Sequence, residues 1–124
     1  MKIEVAITGA RGFLGSHLAS SLVSKNISVL GLSSSFNNNL LSESAQSDLS
    51  YLQVDYKSVD NIADALSEST ALIHLAGPAH KKHLNSINHY NYHLSECITP
   101  LVNTALASIK ANVKHFIYIS TIGV

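Results

Sequence analysis

Apolar positions along this chain come in short continuous runs that alternate with stretches of helical spacing. The run Ile3 to Ile7 reads as a buried strand over residues 3–8, and Leu14, Leu18 and Leu22 then repeat every fourth residue, predicting a helix over 13–24 that ends near Lys25-Asn26. Ile27 to Leu32 is a second β-branched run, hence a second strand. Ser33 to Asp48 is rich in Ser and Asn and reads as a long surface loop, with at most a weak turn at Leu40-Leu41. Tyr51 to Val54 is a short third strand. Ser58 is a good N-cap for a helix whose apolar face is Val59, Ile62, Ala63 and Leu66. Ala71 to Leu75 is the fourth strand, and residues 78–88 form an irregular loop. A long helical pattern follows, with Leu94, Ile98, Val102, Ala105 and Ile109 on one face. Pro100 should kink or restart it, with Thr99 as the new cap. His115 to Ser120 is the fifth strand.

Strands alternating with helices predict an α/β fold, a Rossmann-type doubly wound parallel sheet with right-handed crossovers and strand order 3-2-1-4-5, ending after strand 5. No internal repeat of 20–50 residues is visible. Ligands of such sheets sit at the carboxyl ends of the strands. The first of those ends carries Thr8-Gly9-Ala10-Arg11-Gly12-Phe13-Leu14-Gly15. Strand, glycine turn and helix in that order make a phosphate-binding unit. Gly9, Gly12 and Gly15 permit the tight turn and close backbone approach, and the helix start offers unpaired N–H groups and a positive dipole end.

Composition narrows the function classes. The 124 residues suffice for one domain with a core, and 46% hydrophobic against 13% charged content suits a buried parallel sheet. Eight basic and eight acidic side chains balance, so no long-range field draws a polyanion and no nucleic-acid partner is expected. The single cysteine, Cys97, excludes an internal disulfide and reads as a packed helix residue. The start, Met-Lys-Ile-Glu-Val, lacks the apolar core of a signal peptide, and no apolar run approaches the ~20 residues of a membrane span. A soluble cytoplasmic protein with no membrane partner is the expectation.

The seven histidines raise the question of a metal. His89 and His93 are four apart on a helix, and His80 and His83 lie in the preceding loop, but zinc needs three or four converging ligands, so no metal site is expected. His80-Lys81-Lys82-His83 reads as an exposed basic loop, with a diphosphate or sugar contact as the alternative. His74, within a strand, reads as a hydrogen-bonded core residue.

TGARGFLG (8–15), the Asp55-Tyr56 step, HLAG (74–77) and FIYISTIGV (116–124) together resemble, in order and spacing, extended short-chain dehydrogenases/reductases of the NAD-dependent epimerase/dehydratase family. The likeness is to bacterial UDP-sugar 4-epimerases and 4-ketoreductases. It spans the whole chain but only the N-terminal half of such an enzyme. It implies that residues 1–124 are the NAD(P)-binding domain, with the C-terminal substrate-binding region absent. The implied activity is that of a sugar-nucleotide epimerase with transient hydride transfer at C4 of a UDP-hexose. A 4-ketoreductase, a 4,6-dehydratase and a non-catalytic dinucleotide-binding module are the alternatives. The full-length enzyme would be a homodimer.

By the same resemblance, Gly9, Gly12 and Gly15 meet the pyrophosphate, with Phe13 and Leu14 supplying donors. Asp55 meets the adenine amino group with Tyr56 beside it, and Leu75, Ala76 and Gly77 line the adenosine side. Thr121 is the catalytic Ser/Thr position, preceded by Ser120 at the strand end. Three features depart from the pattern. Strand 2 ends Leu32-Ser33-Ser34-Ser35, without the acid that grips a ribose or the base that meets a 2′-phosphate. Arg11, inside the glycine turn, is either a basic residue of the kind some NADP-preferring relatives place there or a solvent-facing turn residue, so NAD and NADP both stay open. Cys97 and Pro100-Leu101 stand where relatives show an Asn and a Gly-Thr pair. The family's Tyr-x-x-x-Lys pair is missing, since none of the tyrosines at 51, 56, 90, 92 and 118 has a lysine four residues on. The expectation is a chain that does not complete the chemistry alone, with an exposed strand-5 edge that favours self-association.

Overall fold

The computed structural model describes residues 2–35, 48–77 and 86–120, apart from the side chains at 86, 87 and 89. Its strands are β1 (Ile3–Thr8), β2 (Val29–Ser33), β3 (Leu49–Gln53), β4 (Ser69–His74) and β5 (His115–Tyr118). All pair in parallel in the order β3-β2-β1-β4-β5, the order that the alternation of strands and helices predicts. The helices are α1 (Phe13–Ser24), α2 (Val59–Ala65), α3 (Ser86–His93) and α4 (Thr99–Lys110), with a π-helical turn at Leu94–Ile98 between the last two.

Two apolar layers sandwich the sheet. On one face Ile7, Ala10, Ala19 and Val29 are buried, with Leu18 and Leu22 of α1 packed against them. On the other, Ala6, Leu30, Leu32 and Leu72 meet Ile62, Ala63 and Leu66 of α2 and Ala107 of α4. The start of α2 is as expected: the Ser58 hydroxyl accepts the Asn61 N–H at 3.1 Å.

Strand 2 begins two residues later than the apolar run suggests, because the end of α1 consumes Ile27. Asn26 adopts φ +62°, its N–H bonds the Val23 carbonyl, and Ile27 N–H bonds the Leu22 carbonyl at 3.1 Å. The end of α4 repeats this device, with Asn112 at φ +60° and Val113 N–H on the Ser108 carbonyl.

Pro100 behaves differently from the expectation. Ile98 and Thr99 both keep right-handed helical angles, so Thr99 continues the helix and does not cap a new one. The wider π turn just before it takes up the missing proline N–H and the ring's clash with the preceding turn. The face of this helix also corrects the sequence reading. Leu94, Ile98, Val102 and Ile109 point to solvent, and Pro100, Thr104, Ala107 and Ser108 are buried. Small residues let α4 lie close to α2 and the sheet, and packing follows volume more than hydropathy here. Strand β5 is an edge whose residues Phe116, Ile117 and Tyr118 are exposed. Among the described residues no helix is long and apolar enough to cross a membrane.

Candidate dinucleotide site

The glycine turn leaves the end of β1 and doubles back into α1. Gly9 has φ +68°, and a Cβ there would stand 2.9 Å from Ala76 Cα, so backbone from β4 presses directly on the turn. At Gly15 a Cβ would stand 2.2 Å from the Gly9 carbonyl oxygen, which only glycine avoids. Helix α1 starts at Gly12 with no side-chain cap and no acid in its first turn. Its first N–H groups, from Phe13 and Leu14 onward, therefore lack a partner from a side-chain cap. Both side chains point outward, Phe13 almost fully exposed.

Two hydroxyls, one buried and one partly buried, tie these strand ends together. Thr8 Oγ1 accepts the N–H groups of Leu75 (3.0 Å) and Ala76 (3.2 Å) across the β1–β4 boundary. Both lone pairs are then used, so the hydroxyl proton goes to His74 Nδ1 at 2.7 Å. His74 is 1% exposed, and burial pushes its pKa down to about 4. Its ring is a neutral acceptor at Nδ1, which leaves Nε2 as the N–H, buried and without a hydrogen-bond partner. Phe116 and Tyr118 of β5 flank it.

The second hydroxyl belongs to Tyr56. It accepts the Gly9 N–H at 3.2 Å and donates to the Leu32 carbonyl at 3.2 Å, bridging the glycine turn to the end of β2. Burial holds this phenol above its ordinary pKa, outweighing the Gly9 N–H and the neighbouring Thr8 hydroxyl. Asn103 of α4 donates to the Tyr56 carbonyl at 2.9 Å and fixes the residue from the other side. The loop beside it is equally ordered: Asp55 N–H bonds Asn61 Oδ1 at 2.7 Å, and Asp55 Oδ1 accepts the Lys57 N–H at 2.9 Å.

These elements enclose a cleft of about 300 Å³, at the low end for small-molecule sites. It brings together seven strand-end residues singled out in the sequence: Gly9, Ser33, Ser34, Asp55, Tyr56, Ala76 and Gly77. Leu75 instead packs into the α1-side layer. Arg11 crosses toward β3, where its guanidinium lies 5.2 Å from the Tyr51 ring centroid. Ser120 is exposed just beyond β5. Thr121 lies outside the described residues, as do the His80 to His83 run and Leu40-Leu41.

Pro100, singled out in the sequence as a departure from the family pattern, also lines the cleft, and the sequence reading missed Lys57, Ser95 and Glu96 beside it. The π turn before Pro100 is what carries Ser95 and Glu96 there. The interruption of the helix by proline was the available signal. Cys97 has a neighbour that the sequence reading did not assign, His93 Nδ1 at 3.4 Å from its sulfur. Burial and the adjacent Glu96 push the thiol pKa up, which opposes activation. Among the described residues no three His, Cys, Asp or Glu side chains converge as metal ligands.

A parallel 3-2-1-4-5 sheet with a glycine turn and an uncapped helix start at its switch point belongs to the dinucleotide-binding class of doubly wound proteins. The model of the NAD dependent epimerase/dehydratase family matches residues 5–124, and the chain belongs to that family. No curated protein sequence matches it. Three of the solved structures that share the fold show the likeness. A dTDP-glucose 4,6-dehydratase (DesIV double mutant) from Streptomyces venezuelae, with NAD and DAU bound, has a TM-score of 0.80 at 22% identity. The match covers 96% of this chain and 39% of that one. A UDP-N-acetylglucosamine 4-epimerase from Bacillus cereus has a TM-score of 0.73 at 23% identity, covering 97% and 37%. A uronate dehydrogenase from Agrobacterium tumefaciens has a TM-score of 0.75 at 18% identity, covering 97% and 41%. The chain thus spans about two fifths of the length of these proteins.

Proposed function

We propose that this chain is the NAD(P)-holding domain of a sugar-nucleotide epimerase, with residues 1–124 acting as one nucleotide-binding unit. The observation that carries the reading is the cleft in which the glycine turn, Asp55-Tyr56 and Ala76-Gly77 meet. The residues suit a dinucleotide, because Gly15 lets α1 start hard against the backbone of the glycine turn, where a Cβ would stand 2.2 Å from the Gly9 carbonyl oxygen, and the first amides of α1 have no side-chain cap. In this reading the turn and the start of α1 hold the pyrophosphate, Asp55 takes the adenine amino group, and Ser33, Ala76 and Gly77 flank the adenosine. The nicotinamide, when bound, supplies reversible hydride transfer at C4 of the sugar. The hydroxyl of Thr121 orients the sugar hydroxyl that is oxidised, with Ser120 beside it. Threonine is a poor base, and the 124 residues contain no Tyr-x-x-x-Lys, so proton transfer needs a group beyond these residues.

The substrate class we propose is a UDP-hexose. A protein of the same fold, MoeE5, forms a complex with UDP-glucose and NAD. A 4,6-dehydratase or 4-ketoreductase of the same family uses the same parts and fits equally; a dehydratase is among the similar structures. A soluble cytoplasmic enzyme that works as a homodimer completes the proposal. Titration with NADH and NADPH, followed by nicotinamide fluorescence, tests the site. Saturable binding is expected, and no binding of either at about millimolar concentration, the weak limit of specific affinity, overturns it.

A further inference from the structure

We infer that His74 is a positioning residue for the nucleotide: its Nδ1 takes the Thr8 proton and so aims the Thr8 lone pairs at the backbone that forms the Ala76-Gly77 wall of the cleft. The role rests on the dinucleotide reading and names a side chain, outside the cleft, that sets one of its walls.

Thr8 and His74 are register partners on adjacent parallel strands, so their side chains leave the same face of the sheet side by side. A hydroxyl oxygen carries one proton and two lone pairs, and the proton rotates to suit its neighbours. Thr8 Oγ1 has three of them: Leu75 N–H at 3.0 Å, Ala76 N–H at 3.2 Å and His74 Nδ1 at 2.7 Å. The two amides only donate, so the imidazole is the one neighbour that can take the proton. Burial holds the His74 pKa near 4, which keeps the ring neutral and its Nδ1 lone pair available. Without an acceptor at that place, the hydroxyl proton turns part of the time toward an N–H group and opposes it. The two amides do not depend on the hydroxyl equally. Leu75 N–H also meets the Thr8 carbonyl at 3.3 Å, so the loss falls on Ala76. A Cβ on Gly9 would stand 2.9 Å from both the nitrogen and the Cα of Ala76, so a shift of Ala76 disturbs the surface on which the glycine turn is packed. Gly9, Ala76 and Gly77 all line the cleft.

The cost of an imidazole at this place points the same way. His74 Nε2 is buried without a hydrogen-bond partner. An aliphatic side chain would fill the space without that penalty. Phe116 and Tyr118 flank the ring with centroids 6.4 Å and 5.9 Å away, and they pack against it as aromatic surfaces. The hydrogen bond that His74 does make is the one to the Thr8 hydroxyl. A buried polar group that breaks the local packing rule marks a position serving function over stability.

The experiment measures NADH and NADPH affinity of the full chain by nicotinamide fluorescence for His74→Leu, His74→Asn and Thr8→Val, with circular dichroism confirming that each variant is folded. Nitrogen NMR reads the His74 ring and the Ala76 amide. His74→Leu loses the acceptor and should weaken both nucleotides by about tenfold, the scale of one hydrogen bond. His74→Asn can place its side-chain oxygen where Nδ1 stands and should restore affinity to within about threefold, a factor below the worth of one hydrogen bond. An imidazole that only fills space would be replaced better by leucine than by asparagine, so the order of these two variants decides. Thr8→Val should weaken binding at least as much as His74→Leu, and adding His74→Leu to it should change little, because both remove the same contact. In the wild-type chain the His74 ring should carry its proton on Nε2. The Ala76 amide proton should shift upfield in His74→Leu and return in His74→Asn. Leucine binding as tightly as the wild-type chain, asparagine binding no better than leucine, or a proton on Nδ1 overturns the inference. The tautomer is read on the wild-type chain, so the inference stays falsifiable if the leucine variant does not fold. Absence of binding of either nucleotide by the wild-type chain overturns the dinucleotide reading instead, and the ring tautomer and Ala76 shift still report whether His74 places this wall.

Discussion

Replacing Thr8 with valine tests the organisation of the site in one isosteric step. The change keeps the buried volume and deletes a hydroxyl that serves three partners: Leu75 N–H, Ala76 N–H and His74 Nδ1. Leu75 N–H retains the Thr8 carbonyl at 3.3 Å, so its loss is small. The buried His74 ring and the partly buried Ala76 N–H are left without that partner. A net hydrogen bond is worth about 1 kcal/mol, and an unpaired buried group costs about 1–3 kcal/mol, so Thr8→Val should destabilise by about 2–4 kcal/mol. Thr8→Ser keeps the hydroxyl and loses one buried methyl, about 1 kcal/mol. Urea unfolding separates the two, because typical slopes turn 2–4 kcal/mol into a midpoint shift of about 1–2 M. If valine is tolerated as well as serine, the hydroxyl does not hold the β1 and β4 ends together and the reasoning fails.

Three further perturbations probe other parts of the same site. His74 carries a folded pKa of about 4 against an ordinary 6.5, so as pH falls the unfolded chain takes the proton first. Its contribution to stability is complete above pH 6.5 and is lost between there and about pH 4, by up to about 3 kcal/mol; His74→Gln should flatten that part of a stability–pH curve, and an unchanged slope would exclude His74 as its source. Tyr56→Phe removes the bridge between Gly9 N–H and the Leu32 carbonyl and should cost about 1–2 kcal/mol in denaturant, together with weaker nucleotide binding; unaltered binding would show that the turn holds its shape unaided. Gly15→Ala drives a methyl into the Gly9 carbonyl, so it should abolish nucleotide binding in a titration at any concentration where the wild-type chain binds, and binding retained at wild-type affinity would refute the cradle.

The sheet order was legible because strand and helix periodicities alternate cleanly, and right-handed crossovers leave few topologies for five parallel strands. The Ser58 cap and the Lys25-Asn26 helix end were equally readable, since both are local. What the sequence concealed depends on distance or volume. Tyr56 and Gly9 are 47 residues apart, and Thr8 and His74 are 66 apart, so no spacing rule pairs their side chains. Tyr56 was expected beside the adenine acid, and its hydroxyl turns out to join two strand ends. The inward face of α4 was misread because Thr104, Ala107 and Ser108 are chosen for size, while the larger Val102 and Ile109 dominate any hydropathy pattern. Proline at 100 signalled a disturbance, but not that a π turn would absorb it and carry Glu96 into the cleft.

The ends of strands are where a hydrogen-bonded ladder runs out, and amides there ordinarily fray and exchange with water. In this chain two such amides, Gly9 N–H and Ala76 N–H, end on hydroxyls anchored one or two strands away. Fraying of the β1 end would have to break both the Tyr56 and the Thr8 bridges, and fraying of β2 or β4 would break one of them. The tips of β1, β2 and β4 therefore open as one cooperative unit, and the lifetime of the cradle is set by the sheet, not by the loops that surround it.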